Sequence, residues 1–440
     1  MSENFSILDA GREAGQSIGL VEGGREYRFA ELARMAERRM EQLSADGPLP
    51  RFHAVAGTNS VDTLVTLYAL LELRVPALML HPRLTVGEVA AEIEATERAS
   101  HGLPADAAAI LYTSGTTGRA KGAVLTRGSL AASARASAAN MGWQEGDRWM
   151  LVMPVARVGG LSILTRCLAA RQAVVLCPKF DAADMPGLLE RQKVSLVSLV
   201  PTMLSLVFQA HPEWTPAPRL RAVQLGGAAA SAGLLARASQ RRLPVLITYG
   251  CTETCSQVAV TPYDMRWEAA RSGVGRPLPG AEIRIDEGRV MVRGAMRMAG
   301  YLGEAALSPQ AWFDTGDLGE FDPQGFLHLN GRRTDLVVTG GENVYPVEVE
   351  RVLEACPGVE AAAVFGVPDE IWGHTIALAM VPGEHPPADQ ELRDFARRHL
   401  ASYKRPRWVC HVPDLPLNGA GKLDRPALAA LCSRLRPLRG

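Results

Sequence analysis

From Trp149 to Gly250 short apolar runs alternate with amphipathic stretches: WMLVMP precedes GLSILTRCLAARQ, AVVLCP precedes DMPGLLERQ, VSLVSLV precedes TMLSLVFQ, and LRAVQL precedes SAGLLARASQRR, before LPVLITYG. The short runs suit buried strands and the stretches between them carry apolar residues at helical spacing. Such alternation predicts a mostly parallel sheet covered by helices, with ligands at the carboxyl ends of its strands. Upstream, AAAILY (107–112) reads as a strand and RGSLAASARASAAN as a helix with Thr126 as its N-cap, so TSGTTG is expected at a strand-to-helix turn. After Gly280 the alternating AEIRIDEGRVMVRG predicts an antiparallel piece. After Arg332, helical NVYPVEVERVLEA and QELRDFARRHL surround strand-like EAAAVFGV and TIALAMV, which suggests a small α+β domain. The expected fold is α/β: a large N-terminal domain with mostly parallel, helix-covered sheets plus a β subdomain, then a small α+β C-terminal domain.

Composition narrows the partners. The chain has 440 residues, 47% of them hydrophobic, enough for two or three cores. Lys+Arg and Asp+Glu both number 47, so no net field favours nucleic acid or an anionic membrane, and small molecules are the expected ligands. No basic-then-apolar leader opens the chain and no stretch approaches the roughly 18 apolar residues of a membrane span, so a cytoplasmic location is expected. The seven scattered cysteines form no C-x-x-C pair and read as reduced and structural. Homo-oligomerisation is left open.

The candidate chemistry lies in loops. In TSGTTGRAKGAVLT (113–126), glycines allow close backbone approach to an anion while hydroxyls, N–H groups and one ammonium share its charge. The spacing is not G-x-x-x-x-G-K-[ST], which argues against a kinase or ATPase loop. LGGAA and YGCTET follow predicted strands and are expected to open on the same edge. Tyr249 offers a face for a purine or is an ordinary strand-end tyrosine; Glu253 offers a hard oxygen for Mg²⁺. Asp317 suits ribose hydroxyls or a turn, and Arg332 suits ribose, phosphate or solvent.

Taken together, YTSGTTGRAKGAVLT, LGGAA, YGCTET, DTGDLGEFDPQGFLHLNGRRTDLVVTGGENVYPVEVE and LNGAGKLDR resemble, in order and separation, the core motifs of the adenylate-forming superfamily. That superfamily contains acyl- and aryl-CoA synthetases, peptide-synthetase adenylation domains and luciferases. The resemblance implies an ATP-dependent acid:CoA ligase that forms an acyl-AMP and then a thioester, with ATP, Mg²⁺ and coenzyme A as cofactors and co-substrates. A carboxylate is already a nucleophile, so no catalytic Ser, Cys or His is needed. By the same resemblance, Thr113, Ser114, Gly115, Thr116, Thr117, Gly118 and Lys121 hold phosphates, and Thr252 and Glu253 address phosphates and metal. Gly226, Gly227, Ala228, Tyr249 and Gly250 frame adenine, with Asp317 and Arg332 on the ribose. Lys422 is the catalytic lysine of a mobile C-terminal domain. The resemblance divides the chain into residues 1–331, a hinge at 332–334 centred on Thr334, and residues 335–440. In a second orientation Gly340, Gly341 and Glu342 line the channel for the CoA arm. Within the superfamily the chain most resembles the o-succinylbenzoate:CoA ligases of menaquinone synthesis, through YGCTETCSQ, RRTDLVVTGGENVYP and MPVARVGGLSILTR. It departs from them where Ala156 and Arg157 replace an aromatic and a histidine. Arg157, Gly160 and Ser256 are the acyl-pocket candidates, and Arg157 suits a second carboxylate or a surface ion pair. A ligase for another aromatic or medium-chain acid, an adenylation enzyme loading a carrier protein, and a silent nucleotide-binding protein stand as alternatives.

Overall fold

The apolar runs between Trp149 and Gly250 become strands in the computed structural model, which describes residues 5–45, 47–113, 121–269, 273–332, 335–339, 342–369, 372–418 and 421–438. Among these residues the largest sheet has nine strands. Its centre is parallel, in the order Val245–Cys251, Ala222–Leu225, Leu196–Leu199, Arg148–Leu151, Ala173–Leu176, Ile18–Glu22. Antiparallel strands close both sides: Arg25–Arg28 beyond Ile18–Glu22, and Ser256–Val260 then Arg276–Pro277 beyond Val245–Cys251. A second sheet of five strands carries Ala107–Thr113 beside Ala77–Leu80 and His53–Ala56, with Lys121–Thr126 and Gly300–Tyr301 on its other side. One hydrophobic cluster, including Leu125, Leu130, Trp149, Leu164 and Val258, joins both sheets to the mutually packed helices Arg127–Met141 and Val158–Ala170. Burying such side chains is the main favourable term in folding.

Two expectations are corrected. TSGTTG does not lead from a strand straight into a helix, because Lys121–Thr126 is itself a strand, paired antiparallel with Ala107–Thr113 from Thr113–Lys121 to Ala107–Thr126. Ala123, Val124 and Leu125 are buried there, and the helix starts only at Arg127, capped by the Thr126 hydroxyl on the Ser129 N–H at 3.0 Å. Nor do the three glycine-bearing loops share one edge. LGGAA and YGCTET follow strands of the nine-stranded sheet, whereas Thr113 ends a strand of the five-stranded one, so the cleft lies between sheets.

The strands Ala281–Asp286, Arg289–Gly294, Phe313–Phe321 and Leu327–Arg332 form a four-stranded antiparallel sheet. The C-terminal part is α+β as expected: the long hairpin Val359–Asp369 and Gly373–Pro382 carries Trp408–His411 in parallel, and helices Pro346–Glu354 and Asp389–His399 bury Val349, Leu353 and Leu392 in its own core. No helix among the described residues is long and apolar enough to cross a membrane, and every cysteine is unpaired.

At the amino ends of three neighbouring strands sits a buried polar cluster. Asp147, Ser195 and Arg221 immediately precede the strands that start at Arg148, Leu196 and Ala222. Ser195 Oγ donates to Asp147 Oδ1 at 2.7 Å and Arg221 Nε donates to the same oxygen at 2.9 Å. Burial works against the Asp147 charge, yet the Arg221 guanidinium and the other donors hold its pKa below the usual carboxylate value. Its stabilising contribution is therefore present above the ordinary aspartate pKa and lost as pH falls through the depressed one. Asp147→Asn strands a buried guanidinium and should cost about 3 kcal/mol. Urea unfolding of the variant near pH 7 tests this, since the site is at the sheet's other end.

Candidate active site

Three parts of the molecule converge on Asp317. Tyr249, on the last strand of the parallel run, donates its hydroxyl to Asp317 Oδ2 at 2.8 Å. Arg332, opposite Asp317 across the strand pair Phe313–Phe321 and Leu327–Arg332, donates Nε to Oδ1 at 2.8 Å. Asp317 and Tyr249 are both buried. Burial and the Asp317 charge raise the Tyr249 phenol well above its ordinary pKa, so it stays a donor.

Lys422 reaches the same cleft from the C-terminal part. Its turn is closed by Lys422 N–H on Asn418 Oδ1 at 3.2 Å and Asn418 N–H on the Lys422 carbonyl at 2.8 Å, and is docked by Thr202 Oγ1 donating to the Gly421 carbonyl at 2.9 Å. The Lys422 side chain passes over Gly227, where a Cβ would lie 3.8 Å from its Cε. Lys422 keeps access to solvent but is crowded by protein. Burial, then Arg332, and more weakly Arg157 pull its pKa below the usual lysine value, while Asp317 opposes them.

The floor needs glycine. A Cβ on Gly226 would meet Thr248 Oγ1 at 2.2 Å, and one on Gly250 would meet the Ser256 carbonyl at 1.8 Å. The strand pair slips register between Tyr249 and Gly250, and the turn Thr252–Thr254 ends in Cys255 and Ser256 with φ of 49° and 92°. Positive φ in two consecutive side-chain-bearing residues is stored strain of the kind that clusters at functional sites. That turn presents Glu253, whose Oε1 accepts from the Tyr301 hydroxyl at 2.9 Å. Lys121 Nζ pairs with Glu304 Oε1 at 2.8 Å and lies 4.8 Å from the Tyr301 ring centroid. Thr113 Oγ1 meets the Lys121 carbonyl at 3.4 Å. The half-buried Glu253 carboxylate suits Mg²⁺, which takes few protein ligands and fills its shell with phosphates and water. Among the described residues no group of three or more His, Cys, Asp or Glu offers a protein-only cage.

Arg157 is exposed at the start of the helix Val158–Ala170, and its charge is felt at Lys422, His81 and Glu92. Gly160 is buried where a Cβ would strike the Pro154 carbonyl at 2.3 Å, and Ala156 presses on Gly57, which its own N–H ties to the Leu80 carbonyl beside His81. Burial pushes the Glu92 carboxyl up to about 7, with Arg157 opposing. Ser256 is half-buried on the strand after the strained turn. Glu342 is exposed on a two-stranded ribbon of the C-terminal part and makes no hydrogen bond or ion pair to the Asp317 group among the described residues. Ser114, Gly115, Thr116, Thr117, Gly118, Thr334, Gly340 and Gly341 lie outside the described residues. Tyr301, Glu304, His81 and Glu92 escaped sequence reasoning; for Tyr301 the only signal was its place between glycines in AGYLG.

Residues 94–302 match the family model described as AMP-binding enzyme, and residues 348–422 match that of the AMP-binding enzyme C-terminal domain. The chain is 41% identical over 334 residues to the 2-succinylbenzoate–CoA ligase of Bacillus licheniformis, covering 73% of this chain and 69% of that one. The chain belongs to the AMP-binding enzyme family. Its fold matches o-succinylbenzoate CoA synthetase (MenE) from Bacillus subtilis in complex with the acyl-adenylate intermediate OSB-AMP, with a TM-score of 0.85, 30% identity and 97% of each chain covered. The same enzyme in complex with ATP and magnesium ion matches with a TM-score of 0.85 and 30% identity, covering 97% of this chain and 99% of that one.

The lowered Lys422 pKa has a chemical consequence independent of any substrate. Lys404 is held by Glu348, which overrides burial and raises its pKa. At pH 8 an amine-acetylating reagent should therefore modify Lys422 several-fold faster than Lys404, read by peptide mass spectrometry. Equal rates would refute the crowding of Lys422 by cations.

Proposed function

We propose that this chain is an ATP-dependent acid:CoA ligase that couples o-succinylbenzoate, an aromatic keto-diacid, to coenzyme A through an acyl-AMP, releasing pyrophosphate and then AMP. The observation that carries the reading is Lys422, whose turn docks on Thr202, whose side chain passes Gly227, and which feels the charges of Arg332 and Asp317. Homology to 2-succinylbenzoate–CoA ligases supports the choice of acid.

In this reading Asp317 accepts from the ribose hydroxyls, Arg332 steadies it, and Gly226, Gly227, Ala228, Tyr249 and Gly250 frame the adenine. Thr113 and Lys121, with Ser114 to Gly118, take the phosphates, and Thr252 hydrogen-bonds to them. Glu253 would hold Mg²⁺, which supplies neutralisation of charge on the phosphate oxygens when bound. The acid's carboxylate attacks the α-phosphorus and pyrophosphate leaves; positioning and charge stabilisation do the work. Lys422 donates to the acyl and α-phosphate oxygens as charge builds on them. The C-terminal domain, residues 335–440, then turns about 332–334, withdrawing Lys422 and bringing Gly340, Gly341 and Glu342 to the channel where the CoA thiol attacks the acyl carbon and AMP leaves. Arg157, with Gly160 and Ser256 at the acyl pocket, reads the second carboxylate.

Three results test this reading. Pyrophosphate release across a panel of acids should favour o-succinylbenzoate over a matched monoacid. Arg157→Ala should shrink that preference about 10-fold, the cost of a charge-assisted hydrogen bond; an unchanged ratio of kcat/KM values removes Arg157 from the pocket. Lys422→Ala should slow adenylate formation by roughly 10²-fold while leaving synthetic acyl-AMP plus CoA almost unaffected. Equal loss in both half-reactions would make Lys422 a fold residue and end the domain-turning account.

A further inference from the structure

Tyr301 touches both charges that the nucleotide reading assigns to the phosphate end, and nothing in that reading uses it. It lies on the short strand Gly300–Tyr301, which pairs antiparallel with Lys121–Thr126 through Gly300–Val124 and Tyr301–Ala123. Lys121 stands two residues from Ala123, hence on the same face and diagonal to Tyr301, within reach of an aromatic ring. Glu253 is brought in from the other sheet, where its carbonyl accepts the Met298 N–H at 2.8 Å, two residues before that strand. The ring face therefore meets the Lys121 ammonium at 4.8 Å from the centroid, and the ring's hydroxyl meets Glu253 Oε1 at 2.9 Å.

These are the two ends an aromatic phenol is suited to separate. Its face carries negative quadrupole and attracts a cation, while its O–H donates to an anion. Without it, Lys121 and Glu253 would be drawn into a direct ion pair across the space that phosphates need. Lys121 has instead a different counter-ion, Glu304, in a pair exposed on both sides and so weakly held.

We propose that Tyr301 is a positioning residue for the polyphosphate of ATP: its ring holds Lys121, its hydroxyl holds Glu253, and Glu304 is the counter-ion that incoming phosphate oxygens replace. The proposal rests on the nucleotide reading above and adds the residues that set the spacing of its charges. It predicts that the two halves of Tyr301 can be removed separately.

Calorimetric binding of a non-hydrolysable ATP analogue, with and without Mg²⁺, is the test. Tyr301→Phe keeps the ring and loses the donor, so the tightening that Mg²⁺ produces should shrink about 10-fold while metal-free affinity holds. Tyr301→Leu should weaken metal-free binding as well. Glu304→Gln should tighten metal-free binding several-fold, because the phosphates no longer compete for Lys121. Conservative Tyr301→Phe keeps the experiment decisive should Tyr301→Leu fail to fold. A parent that binds the analogue and a Tyr301→Phe variant with the same Mg²⁺ titration overturn this assignment alone. A parent that does not bind the analogue overturns the nucleotide reading and the assignment with it.

Discussion

A buried carboxylate is costly unless its oxygens are occupied, and Asp317 is buried with one donor on each oxygen. One donor, Tyr249, comes from the nine-stranded sheet; the other, Arg332, ends the antiparallel subdomain and leads into the C-terminal domain. The pairing therefore joins the nine-stranded sheet to the antiparallel subdomain at one point, and the cleft forms around it. Removing the buried Tyr249 hydroxyl would leave one oxygen of a buried charge unsatisfied, at a cost of about 1–3 kcal/mol, whereas Arg332 is partly exposed and solvent screens its share of the pairing. Because the partners are side chains and not core packing, the joint can open or exchange partners without unfolding either sheet.

The rest of the cleft follows from where each charge is allowed to stand. Lys422, Arg332 and Arg157 sit on the side where Asp317 and the helix Val158–Ala170 begin; Glu253 and Lys121 sit on the side of the five-stranded sheet, separated by Tyr301. The chain has no net charge, so this separation is local. Close backbone approach makes it possible. Gly226 and Gly250 remove side chains where neighbouring strands crowd, and the positive φ of Cys255 and Ser256 turns Glu253 out of the sheet. Such strain is kept only where surrounding structure over-determines it. Here the Ser133 hydroxyl on the Cys255 carbonyl at 2.7 Å and the Thr254 hydroxyl on the Ser256 carbonyl at 2.8 Å do so.

Much of this was legible in the chain, for reasons that differ by element. The parallel strands and their helices could be read because a strand buried on both faces is a continuous apolar run, and the hairpin at Ala281–Gly294 because its first strand alternates between more and less buried positions, although Val290, Met291 and Val292 on the second are all buried. The strand Lys121–Thr126 was missed because its glycine and lysine look like loop residues, although Ala123, Val124 and Leu125 are buried. Assigning the glycine-bearing loops to one edge failed for a deeper reason. Periodicity reports which residues are buried, not which sheet buries them, and the pairing of Val245–Cys251 with Ala222–Leu225 but of Ala107–Thr113 with Ala77–Leu80 is a long-range choice.

The site divides in the same way. Asp317, Arg332, Tyr249 and Lys422 were legible because they stand in recognisable runs. Tyr301 and Glu304 were not, because each meets its partner only across a long sequence separation: Tyr301 lies 48 residues from Glu253, and Glu304 lies 183 from Lys121. A tyrosine hydrogen-bonded to a carboxylate and a tyrosine that merely fills a core are the same letter in the chain. What distinguishes them is that the Tyr301 hydroxyl and ring face are each spent on a charged group, so that the spacing of Glu253 and Lys121 depends on a residue that carries no charge itself.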